Sequence, residues 1–410
     1  MNLSFIKIPR QISYTIIPLS LIIMGDSILY VILPINYEFF GINSYLGIPY
    51  EFWIGFILSI NRFIRFFSNI FSVKIFKNLG FRNTIFLACF LGAGSTLFYA
   101  LFKGVLLLII ARIIWGFSYS LFRLGYQLKV FSFSANNYGK YLGYCLGVQR
   151  TGSFLVVTLG VLISIKFGIY FTLILLSSLI IPALLITIFI KDLEISNFTP
   201  SKISWNLFYS DQNNKIKNKI IIISFFKFTS SFTSNGLAIA TITPFLLSIN
   251  NDLYDVKTIL AIAGFVVGFR WIADIFFGII FGTLSDNFGR KNNIMISTFL
   301  MLIAILLAIS GIDFYLSLIC IILMFFFSVS LETSLDAFLG EISSKENKSS
   351  IVSRYSTWQD LGAALGPVIG FSIASGFGVS FGYYLSILMF FICIILFFRT
   401  FTNREKKNYP

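Results

Sequence analysis

Twelve long apolar runs, one after another with short polar breaks, constrain this chain more than any other feature. They lie near residues 11–36, 52–73, 84–102, 104–128, 141–165, 167–190, 220–249, 258–283, 293–312, 314–340, 351–376 and 378–399. About 20 apolar residues in a helix match the hydrocarbon core of a bilayer. Only a helix or a closed barrel can cross lipid, because each backbone N–H and C=O must be satisfied internally. The runs lack the period-2 alternation of barrel strands and are about twice as long. The expectation is therefore an all-α membrane protein with twelve transmembrane helices, numbered 1 to 12 in chain order. The first run is too long for a signal-peptide core and more spans follow it, so it reads as a span and not a cleaved leader. Charged residues make up 12% of the 410-residue chain. A soluble domain carries about a quarter, so an ordinary soluble protein and a disordered one are both excluded.

Composition removes further classes. There is no His, so His-based metal sites, His-dependent nucleophilic catalysis and a His proton relay are excluded. A proton carried through this membrane must ride on Asp, Glu, Lys or Tyr. The four cysteines, Cys89, Cys145, Cys320 and Cys393, are far apart inside apolar runs and read as small core residues. No catalytic, metal or cofactor site is expected, and no G-x-x-x-x-G-K-[ST] phosphate loop is present to suggest a primary pump.

The net charge of +14 invites a nucleic-acid partner, but its distribution points elsewhere. With the N-terminus inside, the inner segments hold twenty Lys and Arg, whereas the outer segments hold three, Lys103, Lys166 and Lys257. This is the positive-inside bias of a multi-pass protein. It places both termini in the cytoplasm of a cell whose plasma membrane holds the chain, and it accounts for the charge without nucleic acid.

The longest polar stretch, residues 191–219, contains Pro200 among Ser, Asn, Asp and Lys. It reads as a cytoplasmic linker between two six-helix bundles, 1–190 and 220–410. The halves look duplicated. Gly80 after helix 2 and Gly289 after helix 8 are 209 residues apart, and the same offset lays Asp26 on Asn235, Arg123 on Glu332 and Gln127 on Asp336. With one residue of drift, Arg62 falls on Arg270 and Arg150 on Asp360. Internal repeats with a midplane site between them are a transporter signature.

Residues 282–291 read Gly-Thr-Leu-Ser-Asp-Asn-Phe-Gly-Arg-Lys. Gly282, Leu284, Asp286, Gly289, Arg290 and Lys291 fit G-x-L-x-D-x-x-G-R-[KR], which resembles the cytoplasmic loop motif of the major facilitator superfamily. The glycines permit close approach and turning, and Asp286 suits a helix N-terminus. The sister loop departs from it, with Lys77 in the acid's place and Val73 in the glycine's. Arg112 and Gly116 in helix 4 resemble the family's short Arg-x-x-x-Gly pattern. Gly362, Gly366 and Gly370 recur every four residues in helix 11, a spacing for close helix approach. Helix 5 lacks the Gly-Pro pair usual in the family's drug antiporters. The resemblance implies two pseudo-symmetric six-helix bundles with helices 1, 4, 7 and 10 lining a central cavity.

Ionisable residues inside spans are costly and face a partner or a wet cavity. Here they are Arg62, Arg65, Arg112, Arg123, Arg150, Lys227, Arg270 and Arg354, with Asp26, Asp274, Glu332, Asp336 and Asp360. The alternative for each is a structural ion pair or a side chain that snorkels to an interface. Lys227 and Arg354, near predicted helix ends, are read that way. On the helices that the resemblance places around the cavity stand Asp26, Arg112, Arg123, Asn235, Glu332 and Asp336. Arg112 and Arg123 are about three turns apart on one face. Glu332 and Asp336 share a face at i, i+4, where two carboxylates raise each other's proton affinity. Such a cavity suits a charged or zwitterionic solute. The family fold also packs helix 2 on helix 11 and helix 5 on helix 8. Matching depths then predict the ion pairs Arg62–Asp360 and Arg150–Asp274, with Arg270 competing for Asp274.

The leading expectation is a monomeric secondary active transporter of a small-molecule solute, proton-coupled, working by alternating access among membrane lipids. The alternatives are a drug or metabolite efflux antiporter and a non-transporting sensor or lipid scramblase of the same fold. A membrane-embedded acyl- or glycosyltransferase is disfavoured by the missing His.

Overall fold

The computed structural model describes residues 8–133, 138–193, 214–342 and 348–401. They form twelve helical rods: α1 (Arg10–Ile32), α2 (Tyr50–Leu79), α3 (Phe81–Leu101), α4 (Val105–Phe131), α5 (138–167), α6 (Ile169–Thr187), α7 (214–248), α8 (Val256–Phe288), α9 (Arg290–Ile309), α10 (Phe314–Ile342), α11 (Lys348–Phe377) and α12 (Ser380–Phe401). Ten of the described rods are long and apolar enough to span a membrane, all but α2 and α7. Those two carry mid-helix polar residues, among them Asn61, Arg62, Arg65, Lys227 and Asn235. Large apolar side chains such as Phe276, Phe299 and Leu388 face outward, as a lipid-solvated surface requires. The four cysteines are buried and free. Of the expected linker, residues 194–213 lie outside the described residues.

The chain divides into two compact units, Met1–Tyr45 with Ile60–Ile203, and Leu46–Ser59 with Ser204–Pro410. Each repeats one packing scheme. In the first, α1 packs on α5 and α3 on α4. In the second, α7 packs on α11 and α9 on α10. Small residues set the closeness of the first contact in both. A Cβ on Gly152 of α5 would stand 2.7 Å from Ser20 Oγ of α1, and one on Gly362 of α11 would stand 3.0 Å from Phe232 N of α7. Neither site has room for a side chain. The repeated turns match as well. Gly80 (φ +80°) is the single residue between α2 and α3, and Gly289 (φ +87°) the single residue between α8 and α9. Only glycine takes that left-handed conformation without strain.

Both α5 and α7 depart from α-helical bonding inside the span. Val156–Gly160 and Ser231–Ala238 are π-helical. Single π turns within α-helices frequently occur at functional sites, and the one in α7 lies within the cluster below.

Candidate functional site

In the second unit, α7, α8, α10 and α11 bring their polar side chains into one cluster. Lys227 of α7 is buried and its ammonium lies 3.2 Å from Glu332 Oε2 and 2.9 Å from Asp336 Oδ1 of α10. The carboxylates sit one turn apart, as the i, i+4 spacing requires. The ammonium between them offsets the mutual repulsion on which the sequence argument for Glu332 and Asp336 relied. The other Glu332 oxygen, Oε1, accepts from Ser230 Oγ at 3.3 Å, Ser234 Oγ at 3.2 Å and Asn235 Nδ2 at 2.9 Å. The π segment explains this convergence. Bonding from i to i+5 adds about one residue per turn, so Ser234 and Asn235 both reach a carboxylate that Ser230 also faces. Asn235 Oδ1 accepts from Arg270 Nη2 at 3.1 Å, and Arg270 pairs with Asp274 one turn along α8. Asp336 also accepts from Tyr355 Oη of α11 at 2.6 Å.

Exposure grades this cluster. The side chains of Lys227 and Arg270 are 2% and 1% exposed, that of Glu332 12% and that of Asp336 56%. Asp336 is thus the open end of a chain of contacts that leads inward through Lys227 to Glu332, Asn235, Arg270 and Asp274.

The first unit has a smaller version. Asp26 of α1 pairs with the fully buried Arg112 of α4, and Asn61 Nδ2 of α2 donates to the same carboxylate at 3.1 Å. The Arg112 guanidinium also lies 5.6 Å from the Tyr30 ring centre. Asn61–Asp26 and Arg270–Asn235 are the same contact in two copies. The positions differ by the 209-residue offset, and each pair spans 35 residues. The third member comes from different depths. It is Glu332 in the second unit, whereas the first uses Arg112, three turns before Arg123, the residue that the offset aligns with Glu332. Arg123 and Arg150 are half-buried. Arg62 lies over the Tyr30 ring at 5.6 Å and Arg65 over the Tyr119 ring at 3.9 Å. Asp274 pairs with Arg270 one turn away on its own helix.

The loop after α8 forms its own cluster. Asp286 Oδ1 accepts from Arg290 Nε at 3.1 Å and Nη2 at 2.9 Å, while Arg290 Nη1 reaches Ala337 O and Glu341 Oε2, each at 3.2 Å. Arg290 therefore ties the end of α8 to the end of α10 across the Gly289 turn. In the sister loop, which carries Lys77 in place of the acid, Asp192 just beyond α6 accepts from the backbone N–H of Arg82 at 2.9 Å. This carboxylate caps α3 at its N-terminus, where negative charge is favoured.

Lys227 was not read as part of the site. Its apolar run starts at about 220, which put it near a helix end. The helix begins at Asn214, so Lys227 lies about 20 Å along it by helical rise, buried against two carboxylates. A signal for this was present in Phe225-Phe226-Lys227-Phe228, a cation enclosed by large aromatics. Asp192 was missed because it is distant in sequence from the loop that it caps.

Residues 228–410 match the sequence model of the Major Facilitator Superfamily. Along its length the chain superposes on a mutant of the nucleoside transporter NupG, with TM-score 0.74, 13% identity and coverage of 96% of this chain and 100% of that one. It is similar to a bacterial homologue of the human lysosomal transporter Spinster, solved inward-facing and unoccupied, with TM-score 0.74, 11% identity and coverage of 96% and 97%. A third likeness is to the human organic anion transporter MFSD10, with TM-score 0.67, 15% identity and coverage of 95% and 99%. No curated protein matches by sequence. At these identities the structural likeness concerns the fold, not the cargo. Over its second half the chain matches the Major Facilitator Superfamily by sequence, and over its length it has the fold of solved multi-pass membrane transporters.

Proposed function

We propose that this protein is a secondary active transporter that moves a small solute by alternating access, coupled to protons, in the plasma membrane with both termini in the cytoplasm. The observation that carries the reading is the graded cluster of the second unit. A half-exposed carboxylate, Asp336, shares one buried ammonium with an almost enclosed carboxylate, Glu332. Protonating Asp336, or neutralising it with a solute, releases Lys227 toward Glu332. The change is felt by every group bonded to Glu332, and these lie on α7, α8 and α10. A ligand shifts a conformational equilibrium only through such a difference in interaction between states. With no His in the chain, the acids Asp26, Glu332 and Asp336 are the groups suited to carry the proton. The duplicated Asp26–Asn61 and Asn235–Arg270 contacts support a matching role for Asp26 in the first unit.

The test uses purified protein in proteoliposomes and any solute found to be carried. Asp336→Asn and Glu332→Gln should abolish accumulation driven by an imposed pH gradient and spare counterflow exchange, which needs no net proton movement. Full gradient-driven accumulation by both variants and by Asp26→Asn would contradict the proposal.

A further inference from the structure

We infer that the inner end of the second unit holds an anionic glycerophospholipid, its phosphate taken by Lys219 and Lys291 beside the ring of Phe401. The inference uses the orientation proposed above, which puts these helix ends in the cytoplasmic leaflet, and nothing of the proton coupling. Lys219 of α7 and Lys291 of α9 bring their ammonium groups to 5.5 and 5.7 Å from the centre of that one ring, which ends α12. Two cations from different helices thus converge on a single aromatic side chain. Both lysines are half-buried, with their stems along apolar surface and their heads at its edge. An ammonium carries three N–H donors, so a phosphate oxygen adds to the contacts that each lysine already makes. Lys291 also closes the loop motif at 282–291.

The position favours a lipid over a soluble anion. Lys291 is the second residue of α9 and Phe401 the last of α12, so the site stands where spans meet headgroups. Basic pockets between helices on the cytoplasmic side suit lipid headgroups, and that leaflet carries the anionic lipids. A cavity of about 520 Å³ opens at Lys291, lined also by Gly289, Asn292 and Phe338. The Phe338 and Phe401 ring centres are 5.4 Å apart, so the cavity adjoins the lysine pair and gives a headgroup room. Its acids, Asp286 and Glu341, both pair with Arg290, and the cationic side is that of the lysines. Deeper along the same helices, Ile296 and Phe299 of α9 and Ile395 and Phe398 of α12 are exposed, and α9 packs on α12. These side chains offer acyl chains an apolar bed next to the phosphate site. A soluble phosphate makes no use of it.

The experiment measures binding in detergent, so its failure is separate from a failure of transport or of proton coupling. Purified protein in micelles at constant ionic strength is titrated with dioleoyl phosphatidylglycerol, phosphatidylethanolamine and phosphatidylcholine, and with inorganic phosphate. A ligand that binds the folded state raises Tm saturably. Phosphatidylglycerol should do so at a concentration at least about fivefold below phosphatidylcholine, and inorganic phosphate should not. Lys219→Gln and Lys291→Gln should each weaken phosphatidylglycerol about fivefold, and the double variant should bind it no better than phosphatidylcholine. Lys219→Arg with Lys291→Arg, which keeps both charges, should retain the preference. So should Lys74→Gln with Lys77→Gln, which removes the same charge from the inner end of the first unit. Equal binding of phosphatidylglycerol and phosphatidylcholine would overturn the inference. An equal loss in the Lys74 and Lys77 double variant would overturn it too, since it means a general positive field. The same holds for a matching rise with inorganic phosphate, which means a soluble-anion site, and for tighter binding of phosphatidylethanolamine, which means that Asp286 and Glu341 recognise a headgroup amine.

Discussion

Lys227 holds two carboxylates with one ammonium, and the consequence at the scale of a residue is asymmetric. Removing a buried partner strands the others, whereas removing both ends of the contact does not. Lys227→Met keeps the volume but leaves Glu332, 12% exposed, with only the longer Arg270 contact at 3.8 Å. Such a loss costs about 3–5 kcal/mol. Thermal unfolding in detergent should therefore show Lys227→Met strongly destabilised and Lys227→Met with Glu332→Gln largely recovered. Equal destabilisation of the single and double variants would mean that the ion pair contributes nothing specific. The acids of this cluster could be picked out from the sequence as charges inside spans. The lysine could not, because its depth depends on where α7 starts, and the five polar and basic residues around Ile216 between Asn214 and Lys219 hide that start from a hydropathy reading.

At the scale of the element, most of the twelve helices are legible because lipid imposes both their length and their apolarity. The internal turns of α5 and α7 are not. Nothing in Ser231–Ala238 marks a π segment by composition, and it shows only once Ser234 and Asn235 are found on one carboxylate. Glycine spacing was legible but not its consequence. Gly143, Gly147 and Gly152 look alike in sequence, yet nothing lies within 4 Å of a Cβ built on Gly143 or Gly147, whereas Gly152 abuts Ser20. Gly152→Val should therefore cost about 1–3 kcal/mol by overpacking, and Gly147→Val should be tolerated. Unfolding midpoints of the two variants check this, and equal losses would contradict it. The Gly289 turn carries a different expectation. Arg290 ties α8 to α10 through Asp286 and Glu341. Asp286→Asn should slow turnover and leave solute affinity nearly unchanged. A large loss of affinity at normal turnover would place this loop in the binding site.

For the whole molecule, duplication is the organising fact, and its divergence bears on function. Contacts inherited by both copies, α1 on α5 and α7 on α11, or Asn61–Asp26 and Arg270–Asn235, build equivalent frameworks. Onto them one copy has placed arginines stacked on tyrosines and the other an acid–lysine cluster. The 209-residue offset exposes the framework in the sequence alone. It does not expose which third residue completes each pair, since Arg112 and Glu332 are not equivalent positions. The central claim is that solute movement is coupled to protons through Asp336, Lys227 and Glu332. The most direct measurement is the internal pH of proteoliposomes, started with no pH gradient, on addition of a transported solute. The wild type should show a solute-dependent pH change, and Glu332→Gln should bind the solute and show none. A solute that crosses through the wild type with no pH change, or a Glu332→Gln variant with full proton movement, would contradict the account.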